Sequence, residues 1–281
     1  MASSSNLQLF VHGTKLVRKA ANDASLKPAV EAYERWKHRN LETTTRTKEA
    51  VAELTAGLND YKSSVEPLFD SRPNSAQEIL QSSIIEEFFE YLFSTIEVEL
   101  KCGPLLRKPA AGYLELSFNP KSIKNLIQRP EYTIRRKDHD FVIGAAVTLS
   151  VRTESGGEAA EENVVIPAVA LECKRYLERN MLDECSGTAE KIKHSTPYCL
   201  YLVVAEYLKM DDCSPELSRI DEIYILRKQK NSERLEKNFV PKPIDPELVW
   251  DIYEKCLKHL SRVWWDPNAA VASGKVFNFP G

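Results

Sequence analysis

The chain has 281 residues, 38 Lys and Arg against 41 Asp and Glu, a net charge of −3 and 43% hydrophobic residues. That balance is ordinary for a globular protein. It argues against a surface coated in basic charge for nonspecific nucleic-acid binding, but leaves room for a locally basic cleft. No apolar run approaches the roughly 20 residues that a membrane-spanning helix needs. The start, Met1-Ala2-Ser3-Ser4-Ser5-Asn6, lacks the basic residues and apolar core of a signal peptide. A cytoplasmic protein without a membrane partner is expected. The six cysteines, Cys102, Cys173, Cys185, Cys199, Cys213 and Cys256, include no C-x-x-C pair, which leaves a structural zinc site without support. Several fall in apolar stretches, where a reduced cysteine acts as a small hydrophobe, and a reducing compartment follows.

In chain order, Val30, Tyr33, Trp36, Leu41, Val51, Leu54, Leu58 and Tyr61 recur at helical spacing and predict helix over 27–68. Pro28 suits its first turn, and 70–74 reads as a turn. Ser75 and Glu78 form a capping-box pattern. The body that follows, 79–93, is apolar on more than one side and predicts a centrally packed helix. Residues 112–118 alternate as a strand, and 121–128 reads as a short amphipathic helix ended by Pro130. Two apolar runs come next, Phe141 to Val147 and Val164 to Leu171, joined by a polar, glycine-bearing stretch over 152–163 that suits a hairpin loop. A helix is expected over 181–194, strands over 198–205 and 220–226, and a closing helix over 247–263. This order predicts an α/β protein: a mixed central β-sheet flanked by helices, with an N-terminal helical region.

The most informative residues lie at the edges of the two apolar runs. Asp140 precedes the first, and Glu172-Cys173-Lys174 closes the second. Carboxylates and a lysine are costly to bury together unless they share a metal or a phosphate. An acid at the start of one strand and Glu-x-Lys at the end of the next is the arrangement of a magnesium-dependent nuclease of the PD-(D/E)XK class. Asp140 and Glu172 are then the expected Mg2+ ligands, with the backbone carbonyl of Cys173 as a third. Lys174 shares a strand face with Glu172 and is expected to orient water, contact phosphate or stabilise charge in the transition state. Asp138 competes with Asp140, which is favoured because the apolar run begins directly after it. Glu86 and Glu87 interrupt an apolar helix; they either reach the metal cluster or lie on an exposed stripe. The Cys173 side chain belongs to the opposite strand face and is not read as a nucleophile, and His139 is read as a surface residue. Basic residues precede the site (Lys121, Lys124, Arg129, Arg135, Arg136, Lys137) and follow it (Arg175, Arg179, Lys191, Lys193). They suggest a phosphate-binding rim, with Arg135, Arg136, Lys137 and Arg175 as expected DNA contacts. There is no P-loop, dinucleotide fingerprint or H-E-x-x-H.

The stretches 172–182, 188–193, 201–206 and 220–227 resemble the BbvCI-type restriction endonucleases, type II enzymes that cut short sites of the CCTNAGC kind and are in some cases built from two related subunits. The resemblance covers about 75–228 and implies a restriction-endonuclease-like PD-(D/E)XK core with Asp140, Glu172 and Lys174 as the active site and magnesium as cofactor. It also implies action on double-stranded DNA by two protomers, as a homodimer or as a heterodimer with a related subunit. The organisation expected is an N-terminal helical region over 1–73 for DNA recognition or dimerisation, a nuclease core over 74–239, and a C-terminal helix and tail over 240–281, the first and last of which carry no motif matched to that family. Base-reading candidates are Arg35, Lys37, Arg39, Asn40 and Arg46 in the N-terminal helices and the segment 230–238. Two other readings share the fold: a structure-specific repair or recombination nuclease, and a noncatalytic DNA-binding subunit. The intact Asp140, Glu172 and Lys174 set argues against the second. A helical interaction protein with an accidental triplet is the remaining reading.

Overall fold

The computed structural model describes residues 10–44, 46–71, 79–128, 131–152, 159–236 and 238–274. The expected Ser75–Glu78 cap, the turn residues 72–74, Arg129, Pro130 and the centre of the hairpin loop, 153–158, lie outside the described residues. The helical run expected over 27–68 is two helices, α2 (Lys27–Glu42) and α3 (Lys48–Asp70), the second capped by the Thr47 side chain accepting from the Ala50 N–H. A helix not read from the sequence, α1 (Val11–Ala20), comes before them; of its buried residues, His12, Gly13 and Leu16, only Leu16 is a hydrophobic side chain. The remaining elements are α4 (Ile79–Leu92), α5 (Ile96–Leu100), β1 (Leu106–Phe118), α6 (Ile123–Gln128), β2 (Tyr132–Val151), β3 (Ala160–Leu177), α7 (Arg179–Ser195), β4 (Leu200–Leu208), β5 (Glu222–Ile225), α8 (Pro246–Ser261) and α9 (Pro267–Ser273).

The strands form one mixed sheet in the order β1-β2-β3-β4-β5, antiparallel across β1, β2 and β3 and parallel across β3, β4 and β5. Helices cover both faces, which is why β4 is buried along nearly its whole length and reads as a continuous apolar run. On one face Phe141 packs with Phe89 and Phe93 of the α4 region, and Phe93 stacks on Tyr253 of α8 at 5.6 Å. Side chains of α1 to α3, among them Leu16, Tyr33, Leu58 and Phe69, belong to this same core. On the other face a smaller core joins Ala170, Tyr201 and Val203 to Leu182, Ala189 and Ile192 of α7.

The strands run well beyond the apolar stretches that announce them. β2 has 20 residues and β3 has 18, so Asp140 and Glu172 stand inside strands rather than at a start and an end. The reason is that β2 changes partner. Its N-terminal half pairs with β1, its C-terminal half with β3, and the β2–β3 ladder stops at Phe141↔Leu171. The polar halves are still strand, but the apolar signal covers only the part sandwiched between helices. Two bulges shape this crossing. Between Ile143↔Val169 and Gly144↔Pro167, β3 carries the extra residue Ala168, and a Cβ at Gly144 would stand 2.2 Å from the Ile166 carbonyl oxygen, so only glycine fits there. Between Lys108↔Val142 and Ala110↔His139, Asp140 and Phe141 together oppose Pro109, which has no N–H to give a ladder. That bulge resets the alternation of side chains: Phe141 enters the α4 core while His139 lies against Tyr201 on the other side.

A buried ion-pair network ties the N-terminal helices to the sheet. Lys62 of α3 lies 2.9 Å from Glu206 of β4 and 3.0 Å from Glu66, and Arg227 bonds the same two carboxylates at 2.8 and 2.6 Å. Burial alone would raise Glu206, but Lys62 and Arg227 hold it below the ordinary carboxylate range. Removing one partner from such a group strands a buried charge and costs about 3–5 kcal/mol. Lys62→Met is therefore expected to destabilise the chain by about that amount in urea unfolding; an unchanged midpoint would contradict this role.

Candidate active site

The site is built where β2 and β3 part. One residue past the end of their ladder, Asp140 substitutes its side chain for a backbone partner: its Oδ2 accepts from the Cys173 N–H at 2.7 Å. Glu172 and Lys174 project from the same face of β3, as their spacing predicts, and the Lys174 Nζ sits 3.2 Å from Glu172 Oε2 and 3.5 Å from Asp140 Oδ2. His139 completes the group, with Nδ1 2.9 Å from Glu172 Oε1. It was expected at the surface, yet it is only 3% exposed. The bulge at Asp140 turns it inward, and nothing in the local sequence pattern marks that turn.

The electrostatics follow from packing these charges in a poorly hydrated place. Burial pushes Asp140 above the ordinary carboxylate range; the Lys174 ammonium only partly offsets it, while Glu172 adds to the rise. Burial also works to raise Glu172, but the His139 hydrogen bond and the Lys174 charge hold it below its usual value. Burial works to lower Lys174, and the two carboxylates outweigh it, so the side chain remains an ammonium. The Cys173 thiol is buried and pushed well up by desolvation, with Asp140 and Glu86 adding to the effect, which fits its exclusion as a nucleophile.

The two acids of α4 separate cleanly. Glu86 pairs with Lys15 of α1 at 3.1 Å, and burial together with the nearby Asp140 raises its carboxyl, so it faces the site. Glu87 accepts from the Gly13 N–H at 2.9 Å and from the Tyr91 hydroxyl at 2.6 Å, and instead anchors α1 to α4. Asp138 is exposed and has no bond to the group. Of the basic residues, Arg135, Arg136 and Lys137 lie on the half of β2 beyond the ladder, each paired with an acid, Glu115, Glu162 and Glu184 respectively. Arg136 and Lys137 line a cleft of about 510 Å³ with Glu184, Thr188 and Lys191 of α7. Arg175 does not share this setting: its guanidinium is buried against Asp70 at 2.7 and 2.9 Å, so it fastens the end of α3 to β3 rather than meeting DNA. Lys37, Asn40 and Arg46 are likewise buried, Arg46 donating to the carbonyls of Thr43, Tyr91 and Leu92, and are not available to read bases.

Among the described residues no cluster of three or more His, Cys, Asp or Glu side chains is gathered as a closed metal site. The donors present are two carboxylates, and the Cys173 carbonyl joins them on geometric grounds, because the N–H and C=O of one strand residue point the same lateral way and its N–H is aimed at Asp140. An open, all-oxygen set of this size is what a hard divalent cation accepts while keeping several waters. The raised Asp140, beside two further carboxylates, is a group that such a cation would relieve. The residues therefore fit the metal.

A mixed sheet lies between helices, and two acids and a lysine meet where two of its strands part. The sequence model of the Bpu10I restriction endonuclease matches residues 77–262. A solved structure described as the native BbvCI A2B2 tetramer at low resolution shares the fold, with a TM-score of 0.70 and 23% identity over 90% of this chain and 97% of that one. No curated protein sequence matches the chain. The chain belongs to the Bpu10I restriction endonuclease family and is a type II restriction endonuclease, a site-specific deoxyribonuclease. Among the described residues no helix is long and apolar enough to cross a membrane.

If Asp140 rather than Asp138 is the ligand, added magnesium should raise the unfolding temperature of the wild type and of Asp138→Asn, and leave that of Asp140→Asn unmoved. The opposite pattern in differential scanning calorimetry would transfer the role to Asp138.

Proposed function

We propose that Asp140 and Glu172 hold Mg2+, with the Cys173 carbonyl beside them, and that Lys174 completes the catalytic centre for hydrolysis of phosphodiester bonds in double-stranded DNA. The observation that carries this is the Lys174 ammonium lying between the buried Glu172 and the half-buried Asp140 at the parting of β2 and β3. When bound, magnesium supplies an activated water, charge neutralisation on the phosphate and help for the leaving oxygen.

The chain's own residues do the rest. Lys174, about a quarter exposed, presents a fixed positive charge to a phosphate oxygen and stabilises charge that develops there. Asp140 keeps its position through the Cys173 N–H, so its second oxygen is left for the cation. The apolar wall behind β2 and β3 keeps bulk water from screening these charges. Glu86 is a further acid facing the site, and Glu87 is not. Arg135, Arg136 and Lys137 are the proposed backbone contacts to DNA. Their present partners are surface pairs worth at most about 1 kcal/mol, which phosphates can replace.

One such centre cuts one strand, so cutting a duplex calls for two protomers. The A2B2 assembly named for the BbvCI structure supports pairing, with a second copy or with a related chain. The N-terminal region over 1–73 then acts in DNA recognition or dimerisation, and the core that α1 to α3 share with α4 and the sheet supports either task. A restriction enzyme of this kind works in the cytoplasm.

Lys174→Ala should lower cleavage by at least about 100-fold, the scale of losing one preorganised charge in a transition state, while DNA binding in calcium is retained. Calcium takes more ligands in looser geometry than magnesium and is expected to support binding without cutting. Full cleavage by the variant would remove Lys174 from the chemistry.

A further inference from the structure

We infer that His139 is the positioning residue for Glu172, fixing which carboxylate oxygen faces the cation. This rests on the reading of Asp140 and Glu172 as its ligands. The ring is buried, with its Nδ1 2.9 Å from Glu172 Oε1. An ionised carboxylate can only accept, so Nδ1 carries the proton and donates it. The two oxygens of Glu172 are thereby divided: Oε1 belongs to His139, and Oε2 is turned toward Lys174 and the Asp140 side of the cleft.

The ring itself has little freedom. The Tyr201 ring meets it edge-on, 6.1 Å between centroids at 80°. On another side is Gly112 of β1, where an added Cβ would lie 3.2 Å from His139 Cδ2 and Nε2. Gly112 is also the point at which β1 touches β3, opposite Val165. The close crossing of these strands and the missing side chain together make the slot that holds the imidazole. Nε2 lies beside Gly112, so the ring is placed to orient Glu172 and not to ligate the cation.

The pairing has a simple logic along the two strands. His139 braces Glu172 and Asp140 braces Cys173, consecutive residues of β2 engaging consecutive residues of β3 where the backbone ladder has ended. The bulge opposite Pro109 makes both contacts possible, because regular alternation would put His139 on the Phe141 side of the sheet. A ligand whose second oxygen is unheld must be ordered by the metal itself, and losing such an outer partner typically weakens metal affinity by about 10–100-fold.

The test is calcium titration by calorimetry on the full-length chain, with His139→Asn, His139→Gln and Glu172→Ala beside the wild type. Asn places an amide N–H where Nδ1 stands, and Gln places it where Nε2 stands. Wild-type affinity in His139→Asn and an affinity about 10–100-fold weaker in His139→Gln are expected. The magnesium concentration for half-maximal plasmid cleavage should shift by the same factor. Equal affinities in the two variants, whether both kept or both lost, would overturn the inference, since a ring that merely fills space does not distinguish them. Glu172→Ala separates the two levels: if it binds calcium like the wild type, the metal reading falls; if it does not and the His139 variants are alike, only the positioning role falls.

Discussion

Two carboxylates are held side by side against an apolar sheet, and much of this structure serves to keep them there with a single ammonium between them. Asp140 is raised by burial and by Glu172, and the one ammonium between them compensates it only in part. A hydrophobic replacement of similar volume would generally be no less stable, so the arrangement is not explained by stability. It fits the proposed role, in which a divalent cation and a phosphate would meet charges whose electrostatic cost the folded scaffold has already met. The contrast with Lys62, Glu66, Glu206 and Arg227 is instructive. There two cations face two anions, every charge has its partner, and the network joins helix to sheet.

The backbone supplies the means. Pro109 removes a ladder donor from β1, β2 answers with a two-residue bulge, and the residues at the bulge are Asp140 and Phe141. A few residues along, Gly144 allows the close passage of the Ile166 carbonyl that turns β2 from one partner to the other. Rigid helices back both features: α4 and α8 through the aromatic stack of Phe89, Phe93, Phe141 and Tyr253, and α7 through Tyr201 and its neighbours. A site on braced strands is held more tightly than one on loops.

Much of this was legible in the sequence for definite reasons. The mixed sheet and its helices show as apolar runs and periodic stretches, and Glu172 with Lys174 obeys the two-residue period of a strand, which survives in the structure. What was hidden depends on tertiary contacts. α1 is held by His12, bonded to Ser83 and Tyr61, and by Gly13 under the Tyr33 ring, so its buried face does not look apolar. The strand ends were misplaced because the outer halves of β2 and β3 are half exposed. The bulge turns His139 inward, which nothing beside it in the sequence signals, and Arg175 looked like a free surface charge because its partner, Asp70, lies far away in sequence.

The central claim is that the group at the parting of β2 and β3 cuts DNA at a defined sequence. Plasmid of known sequence, incubated with magnesium and either the purified wild type or Glu172→Ala, with every new end sequenced, tests it most directly. Breaks or nicks recurring at one short sequence with the wild type and none with the variant are predicted. The same ends from Glu172→Ala would place the chemistry elsewhere in the chain and contradict the assignment.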